Sequence, residues 1–506
     1  MPFIIIVFFF ASFVFAEDSL LISKIHIQQR DVFDDAVVHT SVEKPIYEFG
    51  NWFHINTRES VIRARLPFKE GSTVSQNEIR EAEKNLRLLP YISDARIETQ
   101  KDSLGNTVLY VETSDNWTFS PAFHIGKPGE EWEYTFGILE NNLFGLGHSV
   151  GFFYEHTVER EQKYLLYKSD DFFVPYNSFY FLWSENTDGF SRNLSLGYPF
   201  ISRAKNQWAY NADLLWSKRD EKYYESRNPD PIHVMRLGED SLSLWLLRSF
   251  GGTSFKTYLG IGYDYHLIGK HTDSRAGFSL AMSRIHLDKK YNLHKVKRAE
   301  DVERGYYIKA TVAKTFENED WYFAQNINLS LGLGGHNFLA KGQNSFYYNT
   351  DDIRDMHSIL LGEYIFKPSL KWSSVFVAQI DSWQKTTYER QLYLDGNNVF
   401  PGFPANYLAG ASTFAFKAEQ RYFPGSEIFT LVPSYAVFLA AGDATSSLHA
   451  FEPHDLTYMA GIGLRFSNSK SVQGVVNHIN LSWPLNGELK RGFLAPRFSF
   501  VGKLEL

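Results

Sequence analysis

The chain has 506 residues, no cysteine and a formal net charge of −7. This excludes disulfides, thiolate metal sites and cysteine nucleophiles, and with no long basic run it leaves no footprint for nucleic acid. Phe, Tyr and Trp make up 16% of the residues, yet mean hydropathy is slightly negative. A membrane barrel reconciles the two, because apolar, aromatic outward positions alternate with polar lumen positions along each strand.

Residues 1–16 have the form of an export signal. Pro2 to Phe15 is an apolar run with one hydroxyl, shorter than the ~20 residues a membrane-spanning helix needs. It ends in Val14-Phe15-Ala16, a small-x-small pattern suited to cleavage before Glu17, although no Lys or Arg precedes the apolar core.

Residues 17–115 read as one small α+β domain in the order β-α-α-β-β. Ile22 to Gln29 alternates as a strand, with Ile25 and Ile27 on one face. Thr57 to Leu66 reads as a helix with Thr57 as N-cap. Pro67 and Gly71 mark a turn, and Ser75 with Glu78 forms a capping box for a second helix. Ile79, Ala82, Leu86 and Leu89 give that helix its apolar face. Strands follow at Asp94 to Gln100 and Thr107 to Thr113.

From residue 116 to 506 the pattern is strand after strand. Trp208, Tyr210, Ala212, Leu214 and Trp216 share one face, opposite Gln207, Asn211 and Asp213. Ile327, Leu329, Leu331 and Leu333 oppose Asn326, Asn328 and Ser330, and Ile479, Leu481 and Trp483 oppose Asn480 and Ser482. At ~24 residues per strand and connection, this region predicts a transmembrane antiparallel barrel of ~16 strands. The fold class is therefore mostly β, a barrel preceded by a small α+β domain.

The segments Thr57-Arg58-Glu59-Ser60-Val61-Ile62-Arg63, Glu83 through Leu89, and Pro90-Tyr91-Ile92-Ser93-Asp94-Ala95 resemble a POTRA domain. Glu140-Asn141-Asn142-Leu143-Phe144-Gly145-Leu146-Gly147, Leu196-Gly197-Tyr198-Pro199-Phe200, Gly461-Ile462-Gly463-Leu464-Arg465-Phe466 and Leu481-Ser482-Trp483-Pro484-Leu485 resemble the barrel strands of the same family. Together they resemble the BamA/TamA type of outer-membrane assembly factor, which joins periplasmic POTRA domains to a 16-stranded barrel.

That resemblance implies an extracellular loop folded into the lumen, its tip carrying Arg-Gly-Phe or Arg-Gly-Tyr. The matching stretch here is Pro401-Gly402-Phe403, with Pro in place of the Arg. Of the two acidic wall partners implied, Glu419 is present and the other position is Ala440. Two carboxylates left without their counter-charge would repel, so the losses make sense together. Arg421, two residues from Glu419 and on the same strand face, is the expected replacement partner.

One motif points toward an enzyme. Gly147-His148-Ser149-Val150-Gly151 fits the nucleophile-elbow pattern, but no helical period follows it, as an elbow requires. The sixteen histidines show no paired metal-ligand spacing, and neither a catalytic residue nor a cofactor is expected. The resemblance implies an outer-membrane barrel with its N-terminal domain in the periplasm. Its implied partners are outer-membrane lipid, an unfolded outer-membrane or secreted client protein, and periplasmic accessory proteins at the POTRA domain. The alternative is a passive pore or a structural and interaction barrel that has lost assembly activity. The chain is also expected to close through Phe498 to Leu506, whose outward face carries Phe498, Phe500, Leu504 and Leu506, paired with a first strand near Thr118 to Ile125.

Overall fold

The computed structural model describes residues 19–32, 44–45, 48, 51–52, 54–126, 132–201, 207–228, 230–252, 255–291, 293–294, 299–349, 352–396, 399–427, 431–468, 476–490, 492 and 494–501. The expected export signal, residues 1–16, and residues 502–506 of the expected closing segment lie outside these.

The N-terminal unit contains β1 (Ser19–Arg30), α1 (Glu59–Ala64), β2 (Thr73–Ser75), α2 (Gln76–Arg87), β3 (Ile92–Lys101) and β4 (Thr107–Asp115). The sheet order is β2-β1-β4-β3, with β1 parallel to β4 and the other pairs antiparallel. The short strand β2 between the helices was not foreseen. Its three residues are too few to show an alternation of their own. At α2 the Ser75 hydroxyl accepts from the Glu78 amide, and the Glu78 carboxylate accepts from the Ser75 amide at 2.9 Å, so two orphan helix donors are satisfied. Ile79, Ala82 and Leu86 then bury against Ile22, Ile25, Leu109 and Val111.

The N-cap expected at Thr57 is corrected. The N-cap residue of α1 is Arg58, with no side-chain cap. Asp115, buried at the end of β4, takes Thr57 instead: its carboxylate accepts from the Thr57 amide at 2.6 Å and the Thr57 hydroxyl at 2.9 Å. A buried carboxylate outcompetes an exposed helix end for a hydroxyl, because leaving a buried charge unpaired costs more.

Among the described residues, strands from Phe119–Gly126 through Arg497–Val501 close into one antiparallel barrel of 20 strands. The expectation of ~16 assumed connections that are too long. Two-residue turns link Ser178–Asn186 to Gly189–Tyr198, Lys256–Ile268 to His271–Tyr291, and Trp321–Leu333 to His336–Tyr348. Several strands near the N-terminal end of the barrel have only eight or nine residues. Each strand therefore consumes fewer residues than the ~24 assumed.

Alternation gives the wall two chemistries. Trp208, Leu214, Trp216, Leu259, Ile261, Phe278 and Ile462 stand exposed on the outside, while Ser279, Ser283, Asn480, Ser482 and Ser499 are buried on the inside. An apolar belt of this extent on a closed barrel is what lipid would cover. Among the described residues no helix is long and apolar enough to cross a membrane.

The N-terminal unit rests on one end of this barrel. Asn142 Nδ2 donates to the Thr57 hydroxyl at 2.9 Å, and Arg65 Nε donates to Asp171 at 2.8 Å. On another part of the rim, Lys84 pairs with Glu303 at 2.7 Å and Lys289 with Asp94 at 3.2 Å. Gly147 has φ +72°, and a Cβ there would lie 2.6 Å from the Tyr91 hydroxyl. The glycine of the elbow-like motif is thus explained by a close approach of the two parts of the chain. Ser149 beside it sits within strand His148–His156, with no helix following, so the elbow is not built.

Candidate functional site

The lumen site begins with strand parity. Lys417, Glu419 and Arg421 are alternate residues of Ser412–Tyr422 and share its inward face. Arg421 Nε donates to Glu419 Oε1 at 2.7 Å. The other carboxylate oxygen lies 3.3 Å from Lys417 Nζ and 3.3 Å from Arg465 Nη2. Three cations therefore surround one buried carboxylate. Arg465 comes from Thr457–Asn468, two strands away, and donates also to Asn480 Oδ1 at 2.7 Å. Asn480 Nδ2 passes the network to Ser499 on the final strand at 3.1 Å.

The strand registers align a second set of inward residues. Glu419 is opposite Phe438, Phe438 opposite Gly461, Gly461 opposite Ser482, and Ser482 opposite Arg497. One row thus runs across five strands and ends on the first residue of the closing strand. A Cβ at Gly461 would lie 2.2 Å from the Phe438 ring, so only glycine leaves that ring its place.

The loop between Trp372–Gln384 and Ser412–Tyr422 reaches this row from the opposite end of the barrel. Its limbs pair as Leu392–Leu394 with Leu408–Gly410. Its tip places Phe400 and Phe403 against Phe438, Ala440 and Met459, all fully or almost fully buried. The carbonyl of Pro401 accepts from the Ser482 hydroxyl, and the carbonyl of Gly402 accepts from Arg497 Nη1 at 3.1 Å. Gly402 has φ +90°, a conformation that L side chains rarely adopt.

Pro401, Gly402 and Phe403 thus meet the wall, and so do Glu419 and Arg421, but as two adjoining contacts. Among the described residues, the carbonyls of the tip accept from Ser482 and Arg497. Ala440, where the resemblance implied an acid, belongs to the apolar cluster under the tip. Sequence reasoning missed Lys417, Arg465, Ser482 and Arg497. Arg465 carried a usable signal, since Ile462 and Leu464 alternate with Gly463 and Arg465 and so turn the charge inward.

Toward the end opposite the N-terminal unit, the lumen holds a cavity of about 720 Å³. Its walls stack guanidinium groups on rings: Arg275 lies 3.7 Å from the Tyr322 ring centroid and Arg390 3.8 Å from that of Trp383. These contacts hold the side chains that line the cavity in place.

Neither a protein-family model nor a characterised protein matches the sequence. Among solved structures, the chain is similar to BamA from Haemophilus ducreyi lacking POTRA domains 1–3, at 13% identity and a TM-score of 0.41, over 96% of this chain and 84% of that one. It is similar to CdiB from Escherichia coli, at 13% identity and a TM-score of 0.47, over 95% of this chain and 75% of that one. It is also similar to CdiB from Acinetobacter baumannii, at 10% identity and a TM-score of 0.43, over 95% and 73% of the two chains.

Proposed function

We propose that this chain is an outer-membrane assembly or translocation barrel of the BamA/TamA type. Residues 1–16 direct export and are removed. Residues 17–115 form a POTRA-like periplasmic domain, and residues 116–506 span the outer membrane. The domain receives an unfolded outer-membrane or secreted client by pairing at a free sheet edge, and the barrel aids its insertion into or passage across the membrane. Accessory proteins dock on the same domain. The observation that carries this reading is the seam: a loop from within the lumen grips the closing strand at its first residue, Arg497.

Two measurements test it. Protease added to intact cells should spare residues 17–115, and digestion of that segment from outside would refute the topology. Proteoliposomes carrying the protein should then speed the folding of a urea-unfolded client barrel. Ion conductance without such assistance would establish the passive pore instead.

A further inference from the structure

Three arginines line the lumen cavity of about 720 Å³, and they are held differently. Arg275 pairs with Asp264 at 3.3 Å and with Asp273 at 3.2 Å. Arg354 pairs with Asp320 at 2.6 Å and with Asp355 at 2.8 Å. Among the described residues Arg390 makes no ion pair and no hydrogen bond. Its guanidinium lies 3.8 Å from the ring centroid of Trp383 and 4.0 Å from that of Tyr388. The loop limb that carries it is fixed on both sides. The Thr387 amide donates to Asp355 at 2.7 Å, and Gln391 exchanges two hydrogen bonds of 2.8 Å with the Tyr224 backbone. The neighbouring acid, Glu389, is engaged elsewhere, with His233 at 3.1 Å. A guanidinium stacked on two rings, presented on a fixed limb and left without an acid, is a receptor for an anion.

The acids of the same cavity restrict which anion fits. Asp273 and Asp320 each give one carboxylate oxygen to an arginine and keep the other, Oδ1, without a donor. Glu239 lines the cavity and forms no ion pair among the described residues. Carboxylate oxygens of this kind repel a bare anion and accept from hydroxyl groups. A ligand that suits the whole cavity therefore carries one acidic group for Arg390 and several hydroxyls for the carboxylates. The volume lies within the ~300–1,000 Å³ of small-molecule sites.

We propose that this cavity binds an anionic sugar, with its carboxylate or phosphate on Arg390 and its hydroxyls on Glu239, Asp273 and Asp320. The site goes beyond the assembly reading and does not depend on it. It lies toward the end opposite the N-terminal unit, and it uses neither the loop tip nor the contact to Arg497. Arg275 and Arg354 are positioning residues here: each neutralises acids of the cavity wall and leaves Arg390 as the cation free to meet the ligand.

The experiment titrates the full-length protein in detergent micelles, followed by ligand-observed NMR. The probes are glucuronate and a glucose monophosphate, with glucose, glucosamine and inorganic phosphate for comparison. At least one anionic sugar should bind about tenfold or more tightly than glucose, and Arg390→Gln should remove that margin while the folded, heat-modifiable band is kept. The tighter of the two anionic sugars names the acidic group. Glucosamine binding as tightly would assign recognition to the carboxylates and overturn the role of Arg390. Inorganic phosphate binding as tightly would overturn the role of the hydroxyls. Binding by neither anionic sugar, or equal binding by parent and variant, overturns the site. Should the variant fail to fold, the parent protein decides: phenylglyoxal should modify Arg390 ahead of Arg275 and Arg354, and the tighter anionic sugar should protect it. Modification of Arg390 that the sugar does not slow overturns the proposal.

Discussion

Arg497 Nη1 donates to the carbonyl of Gly402 at 3.1 Å, joining the first residue of the closing strand to the tip of the lumen loop. The side chain is almost fully buried, and this contact is to a backbone carbonyl. Backbone carbonyls are present whatever the loop sequence, so Pro401 in place of an arginine does not remove the attachment. The arginine is supplied from the wall.

Arg497→Ala should free the loop tip, and Gly402→Ala should do the same from the other side. A hydrogen bond from a charged donor contributes about 1.5–3 kcal/mol, and an L residue forced to φ +90° costs about 1–2 kcal/mol. At position 402 the added Cβ also meets Arg497 Cβ at 2.8 Å. Both variants should lose the folded, heat-modifiable band at lower temperature than the parent. An unchanged band in both would show that the tip is held by its phenylalanines alone.

Glu419→Gln should be more damaging than Arg421→Ala. The first leaves Lys417, Arg421 and Arg465 around a neutral group, a loss on the order of 3 kcal/mol for a broken buried pair. The second still leaves two cations on the carboxylate. The double variant should be less destabilised than the sum of the singles, measured by unfolding in denaturant. Additivity would show that Glu419 and Arg421 do not interact.

His294, in the connection between His271–Tyr291 and Ala299–Thr315, gives a pH signature. Its ring lies between Glu300 at 3.2 Å and Glu363 at 2.9 Å, and those hydrogen bonds, first to Glu300 and then to Glu363, raise its pKa to about 9. Because the folded value lies above the ordinary imidazole value of ~6.5, the stabilisation is complete below ~6.5 and is lost as pH rises through about 9. The amides of Leu293 and His294, which donate to Glu300, should keep their hydrogen-exchange protection at neutral pH and lose it across that window. His294→Gln should abolish the transition. Persistence of the same pH step in that variant would assign it to another group.

Asp115→Asn should loosen the seat of the N-terminal unit on the barrel. The carboxylate accepts from both the amide and the hydroxyl of Thr57, which in turn accepts from Asn142 on the barrel rim. Removing its charge should raise proteolysis between the two parts while leaving the barrel folded. Equal protease resistance in parent and variant would count against a role for this chain of contacts.

Much of this was legible because a strand has a period of two. The faces of Trp208–Tyr224 and Val476–Pro484 follow from alternation alone. The Glu419–Arg421 neighbourhood follows for the same reason, since both residues lie on one strand. Arg465 could not be placed beside them, nor Arg497 beside Gly402, because such proximity depends on the register between strands, which pattern within a strand does not contain. The strand count erred because turns of two residues leave little composition to mark them. Thr57 was misassigned because a hydroxyl before a helix predicts a cap only when no buried acid competes for it.

The row from Glu419 to Arg497 makes the lumen loop a gauge of correct closure. Should the final strand slip by one residue, every side chain on it would change face. Arg497 would turn to the apolar outer face, at a cost of up to about 2–4 kcal/mol if that face is covered by lipid as proposed, and Phe498 would turn inward beneath Gly402. The loop tip would then meet a ring in place of a donor and would not seat. A chain whose loop has docked is therefore a chain whose last strand is in step, so proofreading of the seam is built into the folding of the barrel itself.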